Sequence, residues 1–487
     1  MNRQRLESQP VDSATIETLA GKLSVLACCV FGISLLFAIF SLRCLYADGS
    51  YQLTEVLKAG DFVAVAKNRD CASFVFQLPV VMAIKLGFTN LHLLQLAFGV
   101  GCFMPWIISM LFCHQMATRH FWLVMCGCAL GHLNASFMPV GEYIIAHAFF
   151  WPVLFAVLFV RPLTPLAAGM MLVSALILLY SYESLLFLGP PLALLTVERL
   201  FRNGEKFWAR LAFATTITLL LLAAVIALDG VRHPDCPDNF GGFKRSLKSM
   251  LFNPSWTIGW SFVWLFMLGV LCFGWQNFTK KNFKLELALV ATAMAIWGLW
   301  PLFDPESLSV DRQYESRPMQ LLVPFGLLVI ARLMISSPKW FAAQRHYLIA
   351  FSASLLLAQS LWHISATWQW HGFVGVWRGM LASSSGPVSL SETPVGNPTM
   401  RGQCLKFDWS WANPNLSLML APENHVRAII LPRAKPFFQP FDPLEPTDFP
   451  KLQRYGLDYG DYAKAILKMK FSSRAQSPLP PPRGSSP

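Results

Sequence analysis

The residue of this sequence best suited to chemistry is a carboxylate that directly follows the first long apolar run. Asp48 lies in the stretch 46–52, about one helical turn beyond that run. If the run crosses a membrane, Asp48 sits where water gives way to lipid, and partial desolvation there suits a carboxylate that must accept a proton as a general base. The alternative is that Asp48 and Gly49 only form a turn leaving a helix, since both residue types favour turns.

Other ionisable residues also stand close to the ends of apolar runs. They are the pair Arg69 and Asp70, the separate residues Glu142 and Glu183, and the motif 311–317 with Arg312, Tyr314 and Arg317. Charge at membrane depth is costly, so each place is a site candidate. The planar guanidinium of Arg312 or Arg317 suits a phosphate, and the alternative is an interfacial anchor that reaches lipid headgroups.

The elements that must position these residues are membrane spans. Of 487 residues, 54% are hydrophobic and 14% are charged, against roughly 25% charged in a soluble domain. The chain is therefore predicted to be an integral membrane protein. Its excess of 39 basic over 27 acidic residues is attributed to cytoplasmic loops rather than to nucleic-acid binding, because the basic residues cluster between apolar runs.

We predict an all-α polytopic fold with about eleven transmembrane helices, preceded by a cytoplasmic segment 1–22. The predicted spans are 23–44, 91–114, 121–138, 143–160, 166–182, 184–197, 211–228, 256–275, 285–303, 319–335 and 347–364. Basic loops alternate with acidic ones along the chain, which predicts a cytoplasmic N-terminus and outward-facing acidic loops. The transmembrane domain is thus 23–364, and Glu183 is the outer tip of a short hairpin.

Two further parts are predicted outside the membrane. The first outer loop, 47–90, has apolar residues at helical spacing and a short apolar piece at 73–86, which predicts two interfacial helices; a re-entrant segment is the alternative for the second. Residues 365–471 contain strand-like runs such as 426–431 and are predicted to form a small extracytoplasmic α+β domain. Residues 472–487 are rich in Ser and Pro, a composition typical of disorder.

Histidine and cysteine patterns leave alternatives open. His132 and His147 lie within apolar runs and are either a metal pair or proton relay, or helix–helix hydrogen-bonding groups. Cys71, Cys236 and Cys404 fall in hydrophilic stretches, so two of them could pair in an oxidising compartment. The sequence lacks an HExxH motif, a Walker loop and a dinucleotide glycine pattern, so a metalloprotease, an ATPase and a Rossmann enzyme have no support.

In architecture the chain resembles the C-type (GT-C) superfamily of membrane glycosyltransferases. The likeness rests on the long first outer loop, on Asp48 just after the first span, on many spans and on a C-terminal outer domain. The resemblance implies that Asp48 is the base, with Asp70 and Glu142 as second carboxylates. It also implies a polyprenyl-phosphate-linked sugar donor held by Arg312 and Arg317. The first outer loop has no DxD motif, so a metal-independent reaction is favoured over one with a divalent metal.

The expected function is transfer of a sugar to a lipid or envelope glycan at the outer face of a bacterial inner membrane. Two alternatives belong to other classes: a transporter or flippase of lipid-linked glycans, and a non-catalytic membrane assembly protein. Transporters usually show two related halves, and this sequence has no repeat at a fixed period.

Overall fold

The fold is mostly helical. A computed structural model describes residues 13–64, 69–133, 141–201, 204–233, 319–336, 338–390, 407, 410–431, 449–460 and 462. The helices are α1 Ser13–Phe40, α2 Asp48–Ala59, α3 Asp70–Lys85, α4 Leu91–Ala117, α5 Phe121–Gly127, α6 Glu142–Phe159, α7 Pro165–Leu179, α8 Leu185–Leu200, α9 Phe207–Arg232, α10 Met319–Ser336, α11 Pro338–Ser383, α12 Asn413–Met419 and α13 Phe449–Gln453. The described strands are β1 Gly386–Ser389 and β2 Ala428–Leu431, and short 3-10 or π-helical turns also occur among the described residues.

Within the described ranges, five helical segments are long and apolar enough to cross a membrane. They are Thr18–Phe40, Leu91–His132, Glu142–Phe159, Phe207–Arg232 and Phe341–Ser383. Pro165–Leu179 and Leu321–Ile335 are shorter apolar helices. The predicted spans at 256–275 and 285–303 lie outside the described residues, so the count of eleven stays a prediction.

The run Leu91–His132 is broken at Ala117. Ala117 has φ −159° and ψ 75°, outside helical space, and a 3-10 turn at Thr118–His120 follows it. The break separates the 27-residue helix α4 from α5, as the predicted boundary between two spans requires. After α5 the chain continues as a π-helical turn, Cys128–Leu133.

Both helices predicted in the first outer loop are present, as α2 and α3. The chain between them is held by a reciprocal pair of hydrogen bonds: the Val63 N–H donates to Gln77 Oε1 at 2.9 Å, and Gln77 Nε2 donates to the Val63 carbonyl at 3.0 Å. Their interfacial position stays a prediction.

Helix α11 extends well past the predicted end of the last span at Ile364. Its 46 residues would measure about 69 Å at 1.5 Å per residue, more than twice a bilayer core of roughly 30 Å. Hydropathy falls after Ile364, but a buried stripe continues on one face at three- to four-residue spacing. That stripe consists of Ala366, Trp370, Phe373, Trp377 and Leu381. The helix therefore continues because this face packs, with Trp370 against Ser41 and Tyr46 of the turn after α1 and against Phe407.

The C-terminal part contains the predicted strand at 426–431. It is β2, which pairs in parallel with β1 in the register Gly386 to Ala428 and Ser389 to Leu431. Helix α12 supports this small sheet, because the Ile430 N–H donates to Ser417 Oγ at 3.1 Å. Gln95 of α4 donates to the Met419 carbonyl at 2.7 Å, so the same unit rests directly on the helical bundle.

Close backbone contact between α3 and α4 depends on a glycine. A Cβ at Gly101 would collide with the Phe76 carbonyl oxygen of α3, and backbone atoms cannot turn aside as a side chain can. We expect Gly101→Ala to lower the free energy of unfolding by about 1–3 kcal/mol, the usual cost of overpacking. Thermal unfolding of the purified protein in detergent measures this cost.

The matched control is Gly372→Ala in α11. A Cβ there meets nothing within 4 Å, so the change should leave stability equal or raise it by roughly 0.5–1 kcal/mol through helix propensity. Equal melting temperatures for the two variants would contradict the close approach of α3 and α4.

Candidate functional site

A tight, buried turn after α1 positions Asp48. Two of its non-glycine residues have positive φ angles, Leu42 at 55° and Ala47 at 54°. Such conformations cost of order 1–3 kcal/mol each and persist where the surroundings enforce them. The turn delivers the half-buried Asp48 as the first residue of α2.

Helix α11 holds this turn in place. Trp370 Nε1 donates to the Ser41 carbonyl at 3.0 Å. The buried ring of Tyr46 packs edge-on against Trp370, with ring centroids 5.5 Å apart, and against Phe407 at 5.9 Å. The extension of α11 past Ile364 therefore supplies the support for the segment that carries Asp48.

Arg43, in the same turn, is 2% exposed. Its Nη1 lies 3.0 Å from His363 Nδ1 and donates to Thr367 Oγ1 at 3.0 Å, both on α11. Its guanidinium carbon lies 5.1 Å from the centroid of the Phe103 ring. Sequence reasoning missed Arg43 because it was counted inside the first apolar span. An ionisable residue at that depth was the available signal.

An aromatic pair lies at the first turn of α2, the helix that begins with Asp48. Tyr51 follows one helical turn later, and its half-buried ring packs edge-on against Trp411, with centroids 5.6 Å apart. Burial, then the charge of Glu55 and then that of Asp48 raise the pKa of Tyr51 to about 12, so the phenol is protonated at neutral pH. Sequence reasoning placed Trp411 in the outer domain and assigned it no role in the site.

Three predicted site residues meet in a second place, here called the Arg69 cluster: Arg69, Glu142 and Glu183. Arg69 donates to Glu183 Oε1 from Nε at 3.1 Å and from Nη2 at 2.5 Å, and to Glu142 Oε2 from Nη1 at 3.4 Å. The Arg69 guanidinium carbon also lies 5.0 Å from the centroid of the Tyr182 ring.

The Arg69 cluster is strongly coupled electrostatically. Burial by itself would lower the pKa of Arg69, but the charges of Glu142 and Glu183 outweigh burial and hold that pKa above its ordinary value. One cation and two carboxylates give the cluster a formal charge of −1. Asp48 is not among the hydrogen-bond or charge partners of Arg69. The predicted site residues therefore lie in two separate places, the start of α2 with Asp48 and the Arg69 cluster.

The remaining predicted residues are dispersed. Asp70 begins α3 and is exposed, and Cys71 beside it is a free thiol. Arg312, Tyr314 and Arg317 lie outside the described residues, as do Cys236 and Cys404.

The two buried histidines lie beside Trp106. The His132 ring stacks on Trp106 with a centroid distance of 5.0 Å, and His147 meets Trp106 edge-on at 5.2 Å. Among the described residues neither ring nitrogen of His147 has a hydrogen-bond partner. No group of three or more His, Cys, Asp or Glu side chains in the described part of the chain is arranged to hold a metal ion.

Comparison with known proteins assigns no family to this chain. It matches no protein-family model, and neither curated proteins nor solved structures give a match. Function is therefore inferred from the residues and geometry described above.

Proposed function

We propose that this protein is a membrane glycosyltransferase that moves a sugar from a polyprenyl-phosphate-linked donor to a lipid or envelope glycan acceptor. The observation that carries the proposal is the half-buried Asp48 carboxylate one helical turn before Tyr51, whose ring packs against Trp411. Sugar rings present hydroxyl groups at their edges and C–H groups on their faces. A carboxylate suits the former and an amphipathic aromatic ring suits the latter.

In the proposed reaction Asp48 removes the proton from the acceptor hydroxyl. The acceptor oxygen then forms a bond to the anomeric carbon of the donor. The bond from that carbon to the phosphate oxygen breaks, and its electron pair leaves with the lipid phosphate. General-base catalysis of this kind contributes about 10²–10⁴-fold to a rate, provided that the hydroxyl is held against the base.

The Arg69 cluster has a different proposed role, as a binding surface for the acceptor. The bonds from Arg69 use Oε1 of Glu183 and Oε2 of Glu142. A carboxylate offers about four lone-pair directions, so both groups can also accept hydrogen bonds from sugar hydroxyls. The donor phosphate is assigned to Arg312 and Arg317, because Arg69 is already engaged by two carboxylates.

The loop charges support placing this chemistry on the outer face of a bacterial inner membrane. Arg119 and Lys206 stand in one set of turns, whereas Glu142 and Glu183 stand at the opposite helix ends. By the positive-inside rule the former set is cytoplasmic. We propose that the reaction needs no metal ion, since Asp48 acts as the base without a metal ion.

The experiment is mass spectrometry of lipid-linked and envelope glycans in a strain that lacks the gene. The strain is complemented with the wild type, with Asp48→Asn, or with Asp61→Asn as a control in the same loop. Asp61 is exposed and pairs with Lys85, outside both site clusters. The proposal expects the wild type and Asp61→Asn to restore a sugar that Asp48→Asn does not, at equal membrane abundance. Full restoration by Asp48→Asn would refute the catalytic role.

The buried polar groups Arg43, His132 and His147 favour a second candidate function, a transporter of lipid-linked glycans. Ionisable residues inside a membrane often mark a substrate pathway. The glycan analysis separates the two functions. If the protein is a transporter, the strain that lacks the gene makes an acceptor of unchanged sugar composition and accumulates the lipid-linked substrate.

A further inference from the structure

An apolar groove lies between the first two turns of α7 and the first two turns of α9. Its volume is about 330 Å³. Ala168, Gly169 and Leu172 of α7 and Trp208, Leu211 and Ala212 of α9 are among its lining residues. The volume falls at the lower end of the roughly 300–1,000 Å³ found for small-molecule sites. A Cβ at Gly169 would meet nothing within 4 Å, so the groove is open at that glycine.

Buried polar contacts tie together the two turns at the mouth of the groove. Arg199 pairs with Glu205 and donates to the Val160 carbonyl at 2.9 Å. The other carboxylate oxygen of Glu205 accepts the Leu163 N–H at 3.3 Å. The turn before α7 and the turn before α9 are therefore held side by side, and the groove between the helices is preformed.

The mouth of the groove carries positive charge. Leu163 and Glu205 are joined by a hydrogen bond across this mouth. Arg161 lies two residues before Leu163 in the chain and Lys206 lies one residue after Glu205, and both cations are exposed. Arg210, in the first turn of α9, is exposed as well, and the Glu205 carboxylate pairs with Arg199, so the described charges at this end are mainly positive. Exposed apolar side chains surround them, with Phe207 84% exposed and Leu166 62% exposed.

We propose that the groove binds an acyl chain of an anionic phospholipid, with the headgroup phosphate at Arg161 and Lys206. An apolar slot ending at two exposed cations is complementary to such a lipid, and basic residues at membrane depth attract anionic headgroups. The residues that line the groove cover about 10 Å along each helix. This length is too short for a partner helix, which needs a long apolar stripe to pack against. Half-buried Trp208 lies at the rim, as aromatic residues do at membrane interfaces.

The test uses the purified full chain in detergent and phosphatidylglycerol with a photoreactive group on its acyl chain. Crosslinks are mapped by mass spectrometry, with unlabelled phosphatidylglycerol or phosphatidylcholine as competitor. We expect crosslinks at 165–172 and 208–215, and we expect phosphatidylglycerol to compete better by about fivefold for each cation. Lys206→Gln together with Arg161→Gln should reduce this headgroup preference by the corresponding factor.

Gly169→Leu fills the groove and should remove crosslinking at these positions. The matched control is Gly32→Leu in α1, where a Cβ also meets nothing within 4 Å, and it should leave crosslinking unchanged. Equal competition by the two lipids, or unchanged crosslinking in Gly169→Leu, would overturn the proposal. Crosslinks between two copies of the chain at the groove would overturn it as well. The assay measures no sugar transfer, so its outcome is independent of the proposed enzyme activity.

Discussion

Replacing Arg43 with glutamine is expected to destabilise the protein by about 3 kcal/mol or more. The change removes the donor to Thr367 and the contact with His363, and hydrogen bonds to charged groups contribute about 1.5–3 kcal/mol each. It also removes the cation–π contact with Phe103. The turn that carries Asp48 then loses one of its anchors on α11, so the proposed sugar transfer should fall together with stability.

Thermal unfolding in detergent measures this loss, and Arg119→Gln is its control. Arg119 is an exposed arginine in the turn between α4 and α5, so its replacement should leave the melting temperature unchanged. Arg43→Lys should fall between the wild type and Arg43→Gln, since an ammonium keeps the charge but lacks the planar fork. If Arg43→Gln and Arg119→Gln have the same melting temperature, the buried contacts of Arg43 contribute little to stability and the anchoring role is wrong.

Replacing Arg69 with glutamine is expected to cost about 3 kcal/mol, because it leaves the Glu142 and Glu183 carboxylates facing each other without their shared cation. The double variant Arg69→Gln with Glu183→Gln should be more stable than Arg69→Gln alone, since one of the facing charges is gone. A double-mutant cycle of these changes should return a coupling energy of about 1–3 kcal/mol.

An exposed ion pair provides the matched control for this cycle. Lys85 and Asp61 lie 2.6 Å apart, close to the 2.5 Å between Arg69 and Glu183, but both of their side chains are 54% exposed. Solvent screens such a pair, so Lys85→Gln should not change the melting temperature measurably, and a cycle of Lys85→Gln with Asp61→Asn should show no measurable coupling. A cycle at Arg69 that shows no more coupling than this control would mean that the Arg69 cluster is held by other contacts.

Helix positions were the most predictable feature of the fold. The span predicted at 143–160 is α6 at Glu142–Phe159, and the outer-loop segments are α2 and α3. An apolar run of this length must satisfy its backbone groups internally, and a helix does so within one segment. Hydropathy failed at α11, where the continuation beyond Ile364 buries one stripe of a polar sequence. Amphipathic packing of that kind depends on the turn after α1 and on Phe407, which no local window of sequence contains.

The candidate site was predictable only in part. Arg69, Glu142 and Glu183 were selected because charge near a span end is costly, and the structure brings them together across separations of 73 and 114 residues. The support for Asp48 was not foreseen, since Trp370 lies 329 residues from the Ser41 carbonyl to which it donates.

The sequence by itself determined the membrane class, the positions of most apolar helices and the types of residue able to do chemistry, because these follow from local hydrophobicity and charge. Only the tertiary structure decided which residues meet: Tyr51 with Trp411, Arg43 with His363, and Arg69 with the carboxylates of Glu142 and Glu183. Such contacts depend on how distant helices pack, and packing selects among many arrangements that the same apolar runs allow.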